Sequence, residues 1–241
     1  MANPRRVEDP LILALDVPDW EKLEAMAEMF RGEVGTVKLG LEAYTRFGPA
    51  VFREMRDRGF RVFADLKLHD IPNTVSGAVE ALQRWGVEML TLHLCGGRKM
   101  LEAAVRAVRG GGRRAGRMPL LLGVTVLTSL GDGDLEEVGM SGGVLESVLR
   151  LARLGVYCGL DGLVCSPGEA AELRRELGDG PLLVTPGIRP AGTESHDQVR
   201  TATPAEALRA GADYLVVGRA VTGHPRPLEA LRALKREIGL S

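Results

Sequence analysis

The stretch DLKLHDIPNT, residues 65–74, brings Asp65, Lys67 and Asp70 within six positions, directly after the apolar run FRVFA. Removing an unpaired ion from water costs several kcal/mol, so charges placed there must serve one another or a ligand. Side chains two apart on a strand share a face, which puts Asp65 and Lys67 on the same side. Lys38, in the apolar context TVKLG, adds a second ammonium from a neighbouring strand, and lysine is otherwise scarce in the chain. A lysine–aspartate–lysine row can stabilise a developing anion and then protonate it, which is general-acid and electrostatic chemistry. The bland alternative is a buried ion-pair network with no reaction to perform. Asp70 lies beyond the strand, free to point elsewhere, and on its own reads equally well as a loop-capping carboxylate.

A second constellation suits an anionic ligand. TPGIRPAGTESHDQVRT (185–201) and VVGRAVTGHP (216–225) each place glycine after an apolar run. Glycine there lets a ligand oxygen approach backbone N–H groups. Arg219, directly after Gly218, offers a planar fork suited to phosphate, although glycine–arginine after a strand is a weak motif that also fits a surface salt bridge. The segment 187–203 is longer than an ordinary connector, as expected of a functional lid. His93 and Cys95 have no partner pair at metal spacing and read as a packed histidine and thiol. Arginines 106, 109, 113, 114 and 117 have few aromatics among them and read as a solvated helix end and loop rather than an RNA-binding strip.

The elements that must position these groups follow from periodicity. Eight short apolar runs, at 11–16, 36–40, 61–67, 88–94, 120–127, 161–166, 182–187 and 213–218, alternate with amphipathic segments such as DWEKLEAMAEMF and GVLESVLRLARLG. Eight strand-then-helix units predict a parallel (β/α)8 TIM barrel of the α/β class, in which chemistry sits at the C-terminal strand ends. A doubly wound open sheet is the runner-up, since its strands are equally apolar. With no linker or low-complexity tract, residues 1–241 read as one domain.

Bulk properties bound the partners. The 241 residues carry 31 basic and 32 acidic side chains, a formal net charge of -1, so no global field draws the chain to nucleic acid or an anionic membrane. The apolar run 11–15 is too short for a signal or membrane helix, and a cytoplasmic protein is expected. Cys95, Cys158 and Cys165 form no C-x-x-C pair and read as free buried thiols.

Six motifs, taken in order, resemble the orotidine 5'-phosphate decarboxylase family of pyrimidine nucleotide synthesis: LALDVP, VKLGLEAYTRFGP, DLKLHDIPNTV, VTVLTS, TPGIRP with HDQVRTATP, and ADYLVVGRAVT. The resemblance implies decarboxylation of orotidine 5'-monophosphate to uridine 5'-monophosphate, with no cofactor and no metal. Lys67 would then protonate C6 of the pyrimidine, Asp65 would lie against the substrate carboxylate, and Lys38 would hold Asp65 and a ribose hydroxyl. Asp16 would also bind the ribose. Asp70 and Thr74 would reach across a homodimer interface into the partner's site, with Ile71 in the same substrate-binding set. Thr128, ahead of Ser129, would contact the pyrimidine. Gly218 and Arg219 would take the phosphate, with Gln198 bridging to it and Arg189 in the same region.

Three alternatives accompany this reading. Magnesium-dependent sugar-phosphate lyases, such as 3-keto-gulonate-phosphate decarboxylase, share a D-x-K-x-x-D third strand, but carry a metal-binding glutamate where this chain has Lys38. A non-catalytic phosphate-ligand barrel and an RNA-binding protein are the others.

Overall fold

The computed structural model describes residues 7–110, 118–190 and 201–240. Eight strands form: β1 (Leu11–Ala14), β2 (Thr36–Gly40), β3 (Arg61–Leu68), β4 (Met89–His93), β5 (Leu120–Val124), β6 (Gly162–Val164), β7 (Leu182–Thr185) and β8 (Tyr214–Val217). All neighbours pair in parallel, and β1 closes on β8 through Ile12↔Val216. That closure excludes the open doubly wound sheet.

Alternation along the strands sorts side chains into two buried sets. Ile12, Ala14, Phe63, Met89, Leu122, Val184, Tyr214 and Val216 pack together inside the barrel. Their neighbours in sequence, among them Leu11, Leu13, Leu90, Leu183 and Leu215, pack outward against the helices. Burial on both faces explains the near-continuous apolar runs. The helices bury matching stripes. In Trp20–Phe30, Leu23, Met26, Ala27 and Phe30 recur at helical spacing and face the barrel, and the Asp19 carboxylate starts the helix by accepting from the Lys22 N–H at 2.7 Å.

Six strands end earlier than their apolar runs. The run 120–127 is a strand only to Val124, and 161–166 only from Gly162 to Val164. The Thr125 N–H still donates to the Val164 carbonyl at 3.4 Å and the Cys165 N–H to the Val184 carbonyl at 3.2 Å, and the paired register ends there. The segment after Thr128 contains a short helix, Asp132–Glu137. Its Asp134 carboxylate accepts from the Gly131 N–H at 2.7 Å, a local capping bond. Among the described residues no helix is long and apolar enough to cross a membrane.

Close approach of strands requires glycine at one point in the wall. A Cβ at Gly162 would lie 2.7 Å from the Leu182 carbonyl oxygen and 2.9 Å from Leu122 Cδ2. Gly162→Ala is therefore expected to destabilise the barrel by about 1–3 kcal/mol, read as a lower urea midpoint with an unchanged denaturant slope.

Candidate active site

A cavity of about 590 Å³ opens at the C-terminal rim of the barrel, with Ala14, Phe63 and Val216 of the inner set among its lining residues. This volume suits a small-molecule ligand. Asp16, Lys38, Asp65 and Lys67 line it on the side of β1 to β3. Strand register explains the meeting: Gly40 of β2 pairs with Asp65 of β3, and Ala14 of β1 pairs with Lys38.

The charged groups form one connected network. Lys38 Nζ lies 3.3 Å from Asp16 Oδ2 and 3.3 Å from Asp65 Oδ2, while Lys67 Nζ lies 2.9 Å from Asp65 Oδ1. Lys38 and Asp65 keep only 12% and 13% of their side-chain surface exposed, so water screens their attraction weakly. Burial works against both charges, but the neighbours outweigh it. The Lys38 pKa is held above its ordinary value by Asp65 and Asp16, and the Asp65 pKa below its own by Lys38 and Lys67.

Simple alternation accounts for Asp65 but not for Lys67. Register along β3 and β4 slips between Ala64 and Leu68, and Lys67 has φ 51°, the one positive φ among the described non-glycine residues. The Asp65–Lys67 contact is thus made across a bulge rather than along a regular strand. Two residues that the sequence reading passes over complete the arrangement. Thr91 of β4 accepts from the Lys67 N–H at 2.8 Å and donates to Asp65 Oδ1 at 3.0 Å. Gly40 leaves room for the ions, since a Cβ there would lie 3.0 Å from Asp16 Oδ1 and 3.3 Å from Lys38 Nζ. The available signals were a hydroxyl inside the apolar run MLTLH and a glycine closing TVKLG.

The loops after β5, β7 and β8 bring Thr128, Arg189, Gly218 and Arg219 to the same cavity. Ser129, next to Thr128, is exposed and does not line it. Arg189 is buried, and its backbone pairs with Ala202: the Arg189 N–H donates to the Ala202 carbonyl at 3.0 Å, and the Ala202 N–H to the Gly187 carbonyl at 3.2 Å. A Cβ at Gly218 would meet only Ala14 Cβ at 3.7 Å, so this glycine leaves open space at the rim. Gln198 lies outside the described residues, as do residues 191–200 of the expected lid and arginines 113, 114 and 117.

Asp70, Ile71 and Thr74 stand apart. None lines the cavity, all three are exposed, and the Asp70 carboxylate accepts from the Ile71 N–H at 2.6 Å. The three cysteines divide, contrary to the expectation of buried thiols. Cys158 and Cys165 are buried, and burial pushes the Cys165 thiol up to about 12. Cys95 is exposed because it falls in the 3-10 turn Leu94–Gly96 beyond β4. His93 is half-buried beside His69, ring centroids 5.7 Å apart, and burial, His69 and Lys67 hold its pKa below the usual range. Among the described residues no three His, Cys, Asp or Glu side chains gather as a metal site.

Residues 9–234 match the family described as "Orotidine 5'-phosphate decarboxylase / HUMPS family". The chain belongs to this family. Relatives named orotidine 5'-phosphate decarboxylase include those of Moorella thermoacetica, 50% identical over 96% of this chain and 92% of the relative, and Chromohalobacter salexigens, 50% identical over 96% and 97%. The crystal structure of orotidine 5'-phosphate decarboxylase from Lactobacillus acidophilus superposes with a TM-score of 0.85 at 36% identity, covering 96% of this chain and all of the other. In this family member the ionic network joins the first three of the six motifs, through Asp16, Lys38, and Asp65 with Lys67.

The network also makes a stability prediction. Asp65, with its folded pKa depressed, contributes stability that is full above its ordinary 3.8 and lost as pH falls through the folded value. Lys38, with its pKa raised, contributes stability that is full below 10.5 and lost as pH rises through the folded value. Lys38→Met is expected to cost about 3 kcal/mol near neutral pH, in urea unfolding, and the deficit should shrink below 3.8 and above 10.5. A deficit independent of pH would count against this charge pairing.

Proposed function

We infer that this protein is a carboxy-lyase that converts orotidine 5'-monophosphate to uridine 5'-monophosphate. The observation that carries the reading is the Lys38–Asp65–Lys67 network at the rim of the cavity. Relatives of nearly full length that bear this enzyme's name support it. The chain is read as one catalytic domain, working in the cytoplasm.

Loss of CO2 from C6 leaves an electron pair in the plane of the pyrimidine ring, where the π system cannot delocalise it. The barrier must therefore fall through electrostatics, and enzymes supply up to about 23 kcal/mol in the usual range. An ammonium aimed at C6 stabilises the developing charge and can then protonate it. Lys67 is the group suited to this, with Asp65 orienting its ammonium at 2.9 Å. Asp65 also repels the substrate carboxylate, a secondary contribution. Lys38 and Asp16 hold the ribose, and Thr128, which lines the cavity where Ser129 does not, holds the pyrimidine edge. Arg219 and the Gly218 backbone take the phosphate, with Arg189 and Gln198 in support. Binding energy from this remote phosphate is available to drive closure around the reacting centre.

Asp70, Ile71 and Thr74 are read as belonging to the site of a second copy. Support comes from their exposure at the same rim, where Ile71 and Leu41 leave 67% and 56% of their surface to solvent. In a two-fold dimer such a patch is covered by its own equivalent. The magnesium-dependent lyase reading is disfavoured by Lys38, whose positive charge stands where that chemistry needs a metal-binding carboxylate. The balanced charge of the chain gives the RNA-binding reading no support.

Purified protein is expected to consume orotidylate, followed by loss of its absorbance, without added metal. Lys67→Ala should lower kcat by about 1,000-fold or more. No turnover by the wild type, or activity abolished by EDTA and restored by magnesium, would refute the proposal; Lys67→Ala at near wild-type rate would refute the mechanism. For the shared site, mixing inactive Asp70→Ala with inactive Lys67→Ala subunits is expected to restore partial activity. One mixed site then carries both lesions and the other neither. Absence of recovery despite demonstrated subunit exchange would overturn the cross-interface assignment.

A further inference from the structure

Thr91 is fully buried in the middle of β4, two residues on from Met89 and therefore on the inner face of the barrel. A buried hydroxyl is costly unless bonded, and this one has one proton to give and lone pairs to receive. The Lys67 N–H donates to it at 2.8 Å, which leaves its own proton for Asp65 Oδ1 at 3.0 Å. That same carboxylate oxygen receives Lys67 Nζ at 2.9 Å. The bonds close a ring from the Lys67 backbone, through Thr91 and Asp65, to the Lys67 ammonium.

We propose that Thr91 is a positioning residue for the reaction: its hydroxyl ties the backbone of the proton donor to the carboxylate that aims the donor's ammonium. The strand ladder does not serve in its place. Leu90 and Leu92 of β4 pair with Ala64 and Leu68 of β3, so two extra residues of β3 bulge out between these pairs. The side chain of Thr91 reaches into this gap. It offsets part of the cost of the left-handed φ at Lys67, about 1–2 kcal/mol for a residue with a Cβ. Without the hydroxyl, the Lys67 amide loses its acceptor, the backbone is free to relax from φ 51°, and the Asp65 carboxylate can turn. The ammonium then moves relative to C6, and a misplacement of about 1 Å can cost roughly 100-fold in rate. Phosphate binding, on loops from other strands, is left intact.

The proposal rests on the decarboxylase reading, and the test separates the two. Thr91→Val keeps the shape and removes the hydroxyl; Thr91→Ser keeps the hydroxyl. Thr91→Val is expected to lower kcat by about 10- to 100-fold with little change in KM, and Thr91→Ser to restore kcat to near the wild-type value. Hydrogen–deuterium exchange at the Lys67 amide, followed by NMR, should accelerate in Thr91→Val and stay slow in Thr91→Ser. Thr91→Ala takes the place of Thr91→Val if the latter does not fold. An undiminished kcat without the hydroxyl, or Thr91→Ser falling as far as Thr91→Val, would overturn the assignment. If the wild type does not turn over orotidylate, the decarboxylase reading fails alone, and the amide exchange still decides the role of Thr91: protection unchanged without the hydroxyl rejects it.

Discussion

The structure depends on keeping the Asp65 carboxylate charged at the top of an apolar barrel. Its two oxygens are divided between different partners: Oδ2 faces Lys38, while Oδ1 faces Lys67 and Thr91. Neither oxygen is left to the apolar interior, and the cost of burial is offset by Coulomb attraction that water screens weakly. Each of the other charges is in turn defined by this one. Lys38 is shared between Asp65 and Asp16, and Lys67 owes its orientation to Oδ1.

The barrel makes such an arrangement possible because its parallel strands all end at one rim. Inward-facing positions one step beyond the packed layer of Ala14, Phe63 and Met89 are Asp16, Asp65 and Thr91, and Lys38 faces the same way from β2. An apolar layer beneath raises the strength of every electrostatic contact above it. The ligand-facing surface is therefore preorganised before any substrate arrives, as stabilisation of a localised anion requires.

The strands were legible because a parallel barrel wall is apolar on both faces, which leaves a strong run-length signal. Their C-terminal limits were less so: at Val124 and Val164 the same kind of apolar sequence continues past the last ladder bond. The short helix Asp132–Glu137 is set by a local capping bond, the Asp134 carboxylate accepting from the Gly131 N–H, which carries no periodic signal in the sequence. Cys95 followed the same pattern. Its type favours burial, but its location in a turn beyond β4 exposes it. Thr91 escaped notice because one hydroxyl in MLTLH carries no motif, and its importance comes only from what the bulge of β3 presents to it.

The sequence by itself determined the strand–helix alternation, the choice of lysines and aspartates at strand ends, and the family, because these are properties of residue type and spacing along one chain. Only the tertiary structure decided that Lys67 meets Asp65 across a bulge with a left-handed backbone, that Thr91 supplies the missing acceptor, and that Asp70 turns away from the cavity. The physical reason is that a register slip and its compensating bonds belong to a pair of strands. No periodicity within either strand encodes where the other one will offer a hydroxyl.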